Sequence, residues 1–128
     1  MIILNPKEIE AVLKLPADKR YQHFIKRIAD QEELWGIYDS DWIKIKYEDG
    51  SDLFPVWPNK EYAQLYLQKY CPSAFVKTID LYEFIDTFLP ELGERNIAVS
   101  VFPTPEGEGH IVCYEKVIAD LNEELEKY

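Results

Sequence analysis

Trp42-Ile43-Lys44-Ile45-Lys46-Tyr47-Glu48-Asp49-Gly50-Ser51-Asp52-Leu53-Phe54-Pro55-Val56-Trp57-Pro58 is the stretch whose reading decides the fold. From Ile43 the first part alternates apolar and charged, the period of a strand with one buried face, and sends Lys44 and Lys46 to water. Asp49-Gly50 is a hairpin signal, because these residues accept the positive φ of a tight turn. Leu53-Phe54-Pro55-Val56-Trp57 then reads as a returning strand. Pro55 has no N–H to donate, so this strand is expected at an edge, or paired on one side only at that point.

Working outward toward the N-terminus, Leu34-Trp35-Gly36-Ile37-Tyr38 reads as a further strand turned by Asp39-Ser40-Asp41, which makes a three-stranded meander the expectation. Two helices precede it. Asn5-Pro6-Lys7-Glu8 has a capping residue, a first-turn proline and an acid placed to close a capping box. Ile9, Val12 and Leu13 follow on one face. Pro16 forces Leu15 out of helical geometry, and a second helix carries Tyr21, Phe24, Ile25 and Ile28 at helical spacing.

Toward the C-terminus a helix over residues 60–70 sets Tyr62, Ala63, Tyr66 and Tyr70 on one face, and Pro72 ends it. Residues 74–79 read as a short strand. Asp80 caps a helix with Phe84, Ile85, Phe88 and Leu92 inward, Pro90 as a kink or break, and Gly93 as its C-cap. Ile97-Ala98-Val99-Ser100-Val101-Phe102 is apolar enough to be buried on both faces. It is expected to pair as an interior antiparallel hairpin with His110-Ile111-Val112-Cys113, burying Val99 and Val101. Between them residues 104–109, with no large apolar side chain as anchor, are expected to be a mobile tip. A last helix turns Val117, Ile118, Leu121 and Leu125 inward. The fold class is α+β: a mixed, largely antiparallel sheet of about five to six strands with helices packed against it, in one domain spanning residues 1–128.

Composition bounds the function. The chain has 128 residues and a net charge of −10, which opposes nucleic acid and anionic membrane surfaces, where phosphates call for Lys and Arg. The charge is uneven: residues 80–114 hold seven acids against Arg95 alone. No apolar run approaches the ~20 residues of a membrane span. The apolar start Met1-Ile2-Ile3-Leu4 is too short for a leader. Cys71 and Cys113 read as reduced, buried thiols of a cytoplasmic protein, with a disulfide between them as the alternative.

Motifs for chemistry are missing. His23 and His110 lie on different elements without ligand-spaced partners, so no metal is expected, and no cofactor. The acidic turns at Asp39 and Glu48 do not fit a calcium loop. Neither a nucleophile elbow nor a phosphate-binding glycine loop is present, and no catalytic residue is assigned.

What stands out is two rigid aromatic–proline segments, Phe54-Pro55-Val56-Trp57-Pro58 and Phe102-Pro103-Thr104-Pro105. They serve either as structural corners or as walls of a groove for a peptide or partner loop. The residues assigned to binding are therefore Trp35, Phe54, Trp57, Tyr62 and Tyr66, with Glu83, Asp86 and Glu91 as an acidic face for a basic protein partner.

The chain resembles the bacterial domain of unknown function 2750 family. The resemblance is carried by Lys14-Leu15-Pro16 leading to Arg20-Tyr21 and Phe24-Ile25-Lys26-Arg27, by Trp35-Gly36-Ile37-Tyr38, by Leu53-Phe54-Pro55-Val56-Trp57-Pro58, by Phe88-Leu89-Pro90, and by Ala98-Val99-Ser100-Val101-Phe102-Pro103-Thr104-Pro105. It implies no activity and no site residue. A weaker likeness, to the SseB amino-terminal domain, rests on a strand ending in an aromatic before the 60–70 helix, and implies an interaction module. These readings lead to a cytoplasmic protein-interaction or regulatory module, immunity-like in one form by analogy alone. The alternative is a small ligand-binding protein or enzyme with a pocket between sheet and helices, lined by Trp35, Trp57, Tyr62 and Tyr66.

Overall fold

The computed structural model describes residues 4–128. Met1, Ile2 and Ile3, part of the run read above as too short for a leader, lie outside the described residues. The order is α1 (Pro6–Leu13), α2 (Ala17–Gln31), β1 (Glu33–Tyr38), β2 (Ile45–Lys46), β3 (Asp52–Val56), α3 (Lys60–Tyr70), β4 (Phe75–Asp80), α4 (Leu81–Glu83), a π-helical segment (Phe84–Phe88), α5 (Leu89–Glu94), β5 (Ala98–Val101), β6 (His110–Val112) and α6 (Tyr114–Leu125). This is the α+β class expected. The strands form two sheets, smaller than the one foreseen: β1-β4, and β2-β3-β5-β6. All neighbours are antiparallel except β3 and β5.

The N-terminal signals act as read except that the capping box stays open, because the Glu8 carboxylate accepts from Arg27 at 2.9 Å. Asn5 accepts from the N–H of Glu8 at 2.8 Å, and Pro6 opens α1. Pro16 is the N-cap residue of α2, whose buried stripe includes Tyr21, Phe24, Ile25 and Ile28.

The three-stranded meander does not form. β1 pairs along its length with β4, from Glu33↔Asp80 to Tyr38↔Phe75. It meets the end of β3 only at Trp35 and Trp57, which exchange two backbone hydrogen bonds of 2.9 Å and so join the sheets at a corner. The reason lies at Gly36 and Ser40. The Trp42 ring lies so close over Gly36 that a Cβ there would sit 2.9 Å from it. Ser40 turns with φ 65°, and the backbones of Trp42 and Ile43 meet β1 only through the Tyr38 bridge and one bond to the Ile37 carbonyl. Of the alternating stretch only Ile45 and Lys46 pair, with Leu53 and Asp52.

Register explains the core. Phe54 aligns with Val99, and Val56 with Val101; Val99 faces Val112. All five share one sheet face and are buried beside Phe24, Ile28, Phe84, Val117 and Leu121. Val99 and Val101 are thus buried in an antiparallel hairpin, as expected. β5 is interior, whereas β6 is an edge, the difference from the expected interior pair. Pro55 pairs with Ser100 on one side, while β2 has ended at Leu53 on the other.

Pro90 acts through the π segment. The Leu89 N–H reaches back five residues to the Phe84 carbonyl, and this wider turn makes room for a ring that would clash with the carbonyl four residues before it. Gly93 is not the C-cap. It lies inside α5, where a Cβ would stand 2.3 Å from the Tyr114 ring. The left-handed residue past the helix is Asn96, with φ 56°, a position asparagine tolerates. Neither cysteine is buried as read: Cys71 is half-buried, its thiol pKa raised by what burial it has, and Cys113 is exposed.

Candidate functional site: a tyrosine groove beside the proline loop

The other face of the four-stranded sheet carries Ile45, Leu53, Pro55, Ala98, Ser100 and Ile111, by the same register. Helices do not cover all of it. An open groove of about 350 Å³ remains, with Ile45, Leu53, Ser100 and Ile111 as floor, Lys46, Tyr47, Tyr66 and Tyr70 on its sides, and Pro103, Thr104 and residues 106–109 as its rim. Three of these apolar residues reach solvent: Tyr47 is 36 % exposed, Tyr70 52 % and Ile111 36 %.

The tyrosines form the end of an aromatic ladder. Trp57 lies 5.3 Å from Tyr66, and Tyr66 lies 4.7 Å from Tyr70, centroid to centroid. The 66-to-70 spacing puts both on one side of α3, so the ladder climbs from the core to the surface. Burial pushes the Tyr66 phenol pKa up.

The rim is held by donors from three elements. Arg20, buried in α2, donates through Nε to the Phe102 carbonyl at 3.1 Å, through Nη1 to Leu15 at 2.5 Å and through Nη2 to Glu108 at 2.7 Å. Desolvation lowers its pKa. Trp57 Nε1 donates to the Pro103 carbonyl at 2.7 Å. Lys69 Nζ and the Tyr70 hydroxyl both donate to the Pro105 carbonyl at 2.9 Å. Thr104 and Gly107 exchange backbone bonds. The 104–109 segment therefore does not lack anchors; they are polar rather than apolar, and only Glu106, Gly107 and Glu108 stand exposed. Phe102 turns the chain into the loop with φ 61°, a strained value for a bulky residue. Its buried ring lies 4.7 Å from Tyr62, and its N–H bonds the Val56 carbonyl at 2.8 Å.

The residues assigned from sequence separate. Trp57, Tyr62 and Phe54 are core side chains; Trp35 is half-buried at the sheet corner. Trp57 and Tyr62 are corner pieces rather than groove wall, and Tyr66 is the one member of the set that reaches the groove. Phe54 and Glu91 meet instead at a smaller cleft with Trp42, Phe88 and Arg95. Glu83, Asp86 and Glu91 are exposed on the Leu81-to-Glu94 helical run, Glu91 paired with Arg95 at 3.0 Å. The groove residues passed over are Tyr47, Tyr70, Ser100 and Ile111. Tyr70 carried a signal, the shared face with Tyr66.

A second groove, of about 360 Å³, runs between α2 and α6 past Tyr21, His110 and Asp120. Part of its polar lining is paired internally: the Tyr21 hydroxyl donates to Asp120 at 2.6 Å, Lys116 pairs with the same carboxylate at 3.1 Å, and Lys127 pairs with Glu124 at 3.1 Å. Burial, then the Asp120 bond, raise the Tyr21 phenol pKa, which removes it as a base near neutrality. Among the described residues no group of three His, Cys, Asp or Glu side chains is placed to hold a metal ion, and no helix is long and apolar enough to cross a membrane.

No curated protein matches the chain, and the SseB likeness is not shown. A family model described as "Protein of unknown function (DUF2750)" matches residues 21–121. That span takes in α2 from Tyr21 onward, both sheets, the proline loop and α6 as far as Leu121, and the chain belongs to this family.

Proposed function

We propose that this protein is a cytoplasmic interaction module that takes an extended, basic, proline-containing segment of a partner protein into the tyrosine groove. The observation that carries this reading is the groove itself: a sheet face left uncovered, apolar on its floor and lined by three tyrosines. Tyrosine suits such a wall, because it buries a large area at low entropic cost. Shallow aromatic grooves favour polyproline-type segments, whose backbone is extended before binding. Glu106, 4.0 Å from Lys69, and Glu108 stand at the rim, with Lys46 on the wall, so the attraction for a basic partner comes from Glu108 and from the net charge of −10. Glu83, Asp86 and Glu91 add to that field from a different surface. The unpaired Cys71 and Cys113 suit a reducing compartment. An immunity-like role against a basic toxin is one member of this class. The pocket first expected between Trp35, Trp57, Tyr62 and Tyr66 has its two central rings in the core, which disfavours the enzyme reading.

The test is selection from a displayed library of random peptides, with Tyr70→Ala as the counter-target. Recovered sequences should be rich in Pro and Arg or Lys, and should bind Tyr70→Ala at least about tenfold more weakly, the scale of an aromatic anchor. Their association rate should fall as salt shortens the screening length to ~8 Å. Peptides without that composition, or binding unchanged by Tyr70→Ala, would refute the assignment.

A further inference from the structure

The backbone hydrogen bonds of β1 fix which way the backbone of β4 points. Trp35 exchanges both its backbone bonds with Trp57, and Ile37 accepts from Ile43, so these two residues turn their peptide groups away from β4. In an antiparallel pair, residues alternate between facing the partner and facing away. The bond from the Leu81 N–H to the Glu32 carbonyl sets the phase at the other end. Leu34, Gly36 and Tyr38 therefore bond Ile79, Lys77 and Phe75. The N–H and C=O groups of Val76, Thr78 and Asp80 point outward from the sheet. Among the described residues no backbone or side-chain group bonds those of Val76 and Thr78.

Such an edge is a template for another strand. Native edges are commonly blunted by a protruding lysine, and Lys77 is the lysine here. It is instead folded back over β1, its Nζ 4.1 Å from the centre of the Tyr38 ring and 5.5 Å from that of Trp42. At the start of the strand Phe75 is 54 % exposed. Two features of the strand fit a second copy of itself. Its two charges, Lys77 and Asp80, cancel, so β4 is a neutral strip on a molecule of charge −10. Its outward residues also offer a two-fold register. With Thr78 opposite Thr78 of the second copy, Val76 meets Asp80, and all three outward pairs are of the hydrogen-bonded kind. Thr–Thr is a favourable cross-strand pair, and the register sets Lys77 beside Ile79 rather than beside another Lys77.

We propose that two copies of this chain associate by antiparallel pairing of β4 about Thr78, making one four-stranded sheet β1-β4-β4-β1. This surface is separate from the tyrosine groove and does not depend on its function. The strip is narrow, so the dimer should be weak and concentration-dependent.

The test is sedimentation equilibrium from about ten micromolar to one millimolar, with Thr78→Pro and Thr78→Val. Proline at 78 removes an N–H that the monomer does not use, a position where edge strands accept it; Thr78→Val keeps that N–H. The parent and Thr78→Val should dimerise with rising concentration, and Thr78→Pro should stay monomeric over the range. A parent monomeric at one millimolar, or a Thr78→Pro variant that dimerises equally, overturns the proposal. Should Thr78→Pro fail to fold, amide exchange decides. In the parent the Val76 and Thr78 amides should become protected between the lowest and the highest concentration, and unchanged exchange there refutes the pairing.

Discussion

The Arg20 guanidinium meets three backbone carbonyls and, among the described residues, no carboxylate. Its charge is balanced by peptide dipoles from the α1–α2 junction and from both ends of the proline loop, so one side chain ties the groove's rim to the helices. Arg20→Met would leave those carbonyls unbonded and should cost about 3 kcal/mol in urea denaturation. Arg20→Lys should recover little, because an ammonium lacks the planar fork; a fully stable Arg20→Met would contradict the tie. Little of this was legible from sequence, since a helical arginine reads as surface and two of its three carbonyl partners lie more than 80 residues away. Tyr62 shows the opposite case: its position on a buried face was legible, but not that its hydroxyl finds no partner among the described residues. Burial, then the Glu8 charge, push its phenol pKa up to about 12. The fold therefore holds the neutral phenol. This contribution is intact below pH ~10, where an unfolded tyrosine ionises, and is lost as pH rises from there through the folded value. Tyr62→Phe should match or exceed parent stability at neutral pH and lose less of it under alkali, read by thermal melts across that range. A variant less stable at neutral pH would mean that the hydroxyl has a partner.

At the scale of elements, periodicity reported which face of a helix is buried, not which strands lie side by side. The one-sided pairing at Pro55 was legible, but the alternation from Ile43 to Tyr47 did not become one buried face: Ile43, Lys44 and Ile45 are all half-buried and Tyr47 is exposed. The pairing of β1 with β4 was not legible, because it depends on Trp42 packing over Gly36, a contact between side chain and backbone that no spacing encodes. The helix ending at Glu94 carries a similar lesson. Gly93 suggested a terminus by residue type, whereas its place is set by the Tyr114 ring. The two roles predict opposite signs. A glycine inside a helix without close neighbours gains about 1 kcal/mol on replacement by alanine. Here Gly93→Ala should instead lower stability by about 1–3 kcal/mol, as the ring of Tyr114 is displaced. Thermal melts decide between them, and a stabilised variant would mean that Tyr114 does not pack there.

Over the whole molecule, charge and aromatic content pointed to a protein partner, while the groove proposed to receive it emerged only from the fold. The aromatic–proline segments proved to be structural at Trp57 and Phe102, and they build the rim and ladder that the groove uses. What exposes Tyr70 and Ile111 is the sheet's division into two faces, one filled by helices and one left partly open. The most direct measurement of that groove's role is a heteronuclear NMR titration of the labelled protein with a synthetic peptide of alternating proline and arginine. Shift changes that saturate, and that centre on the amides of Tyr47, Tyr66, Tyr70, Ser100 and Ile111, are the predicted result. Saturating changes centred on the α2–α6 groove or on the Glu83, Asp86 and Glu91 surface, or no changes at millimolar peptide, would contradict it.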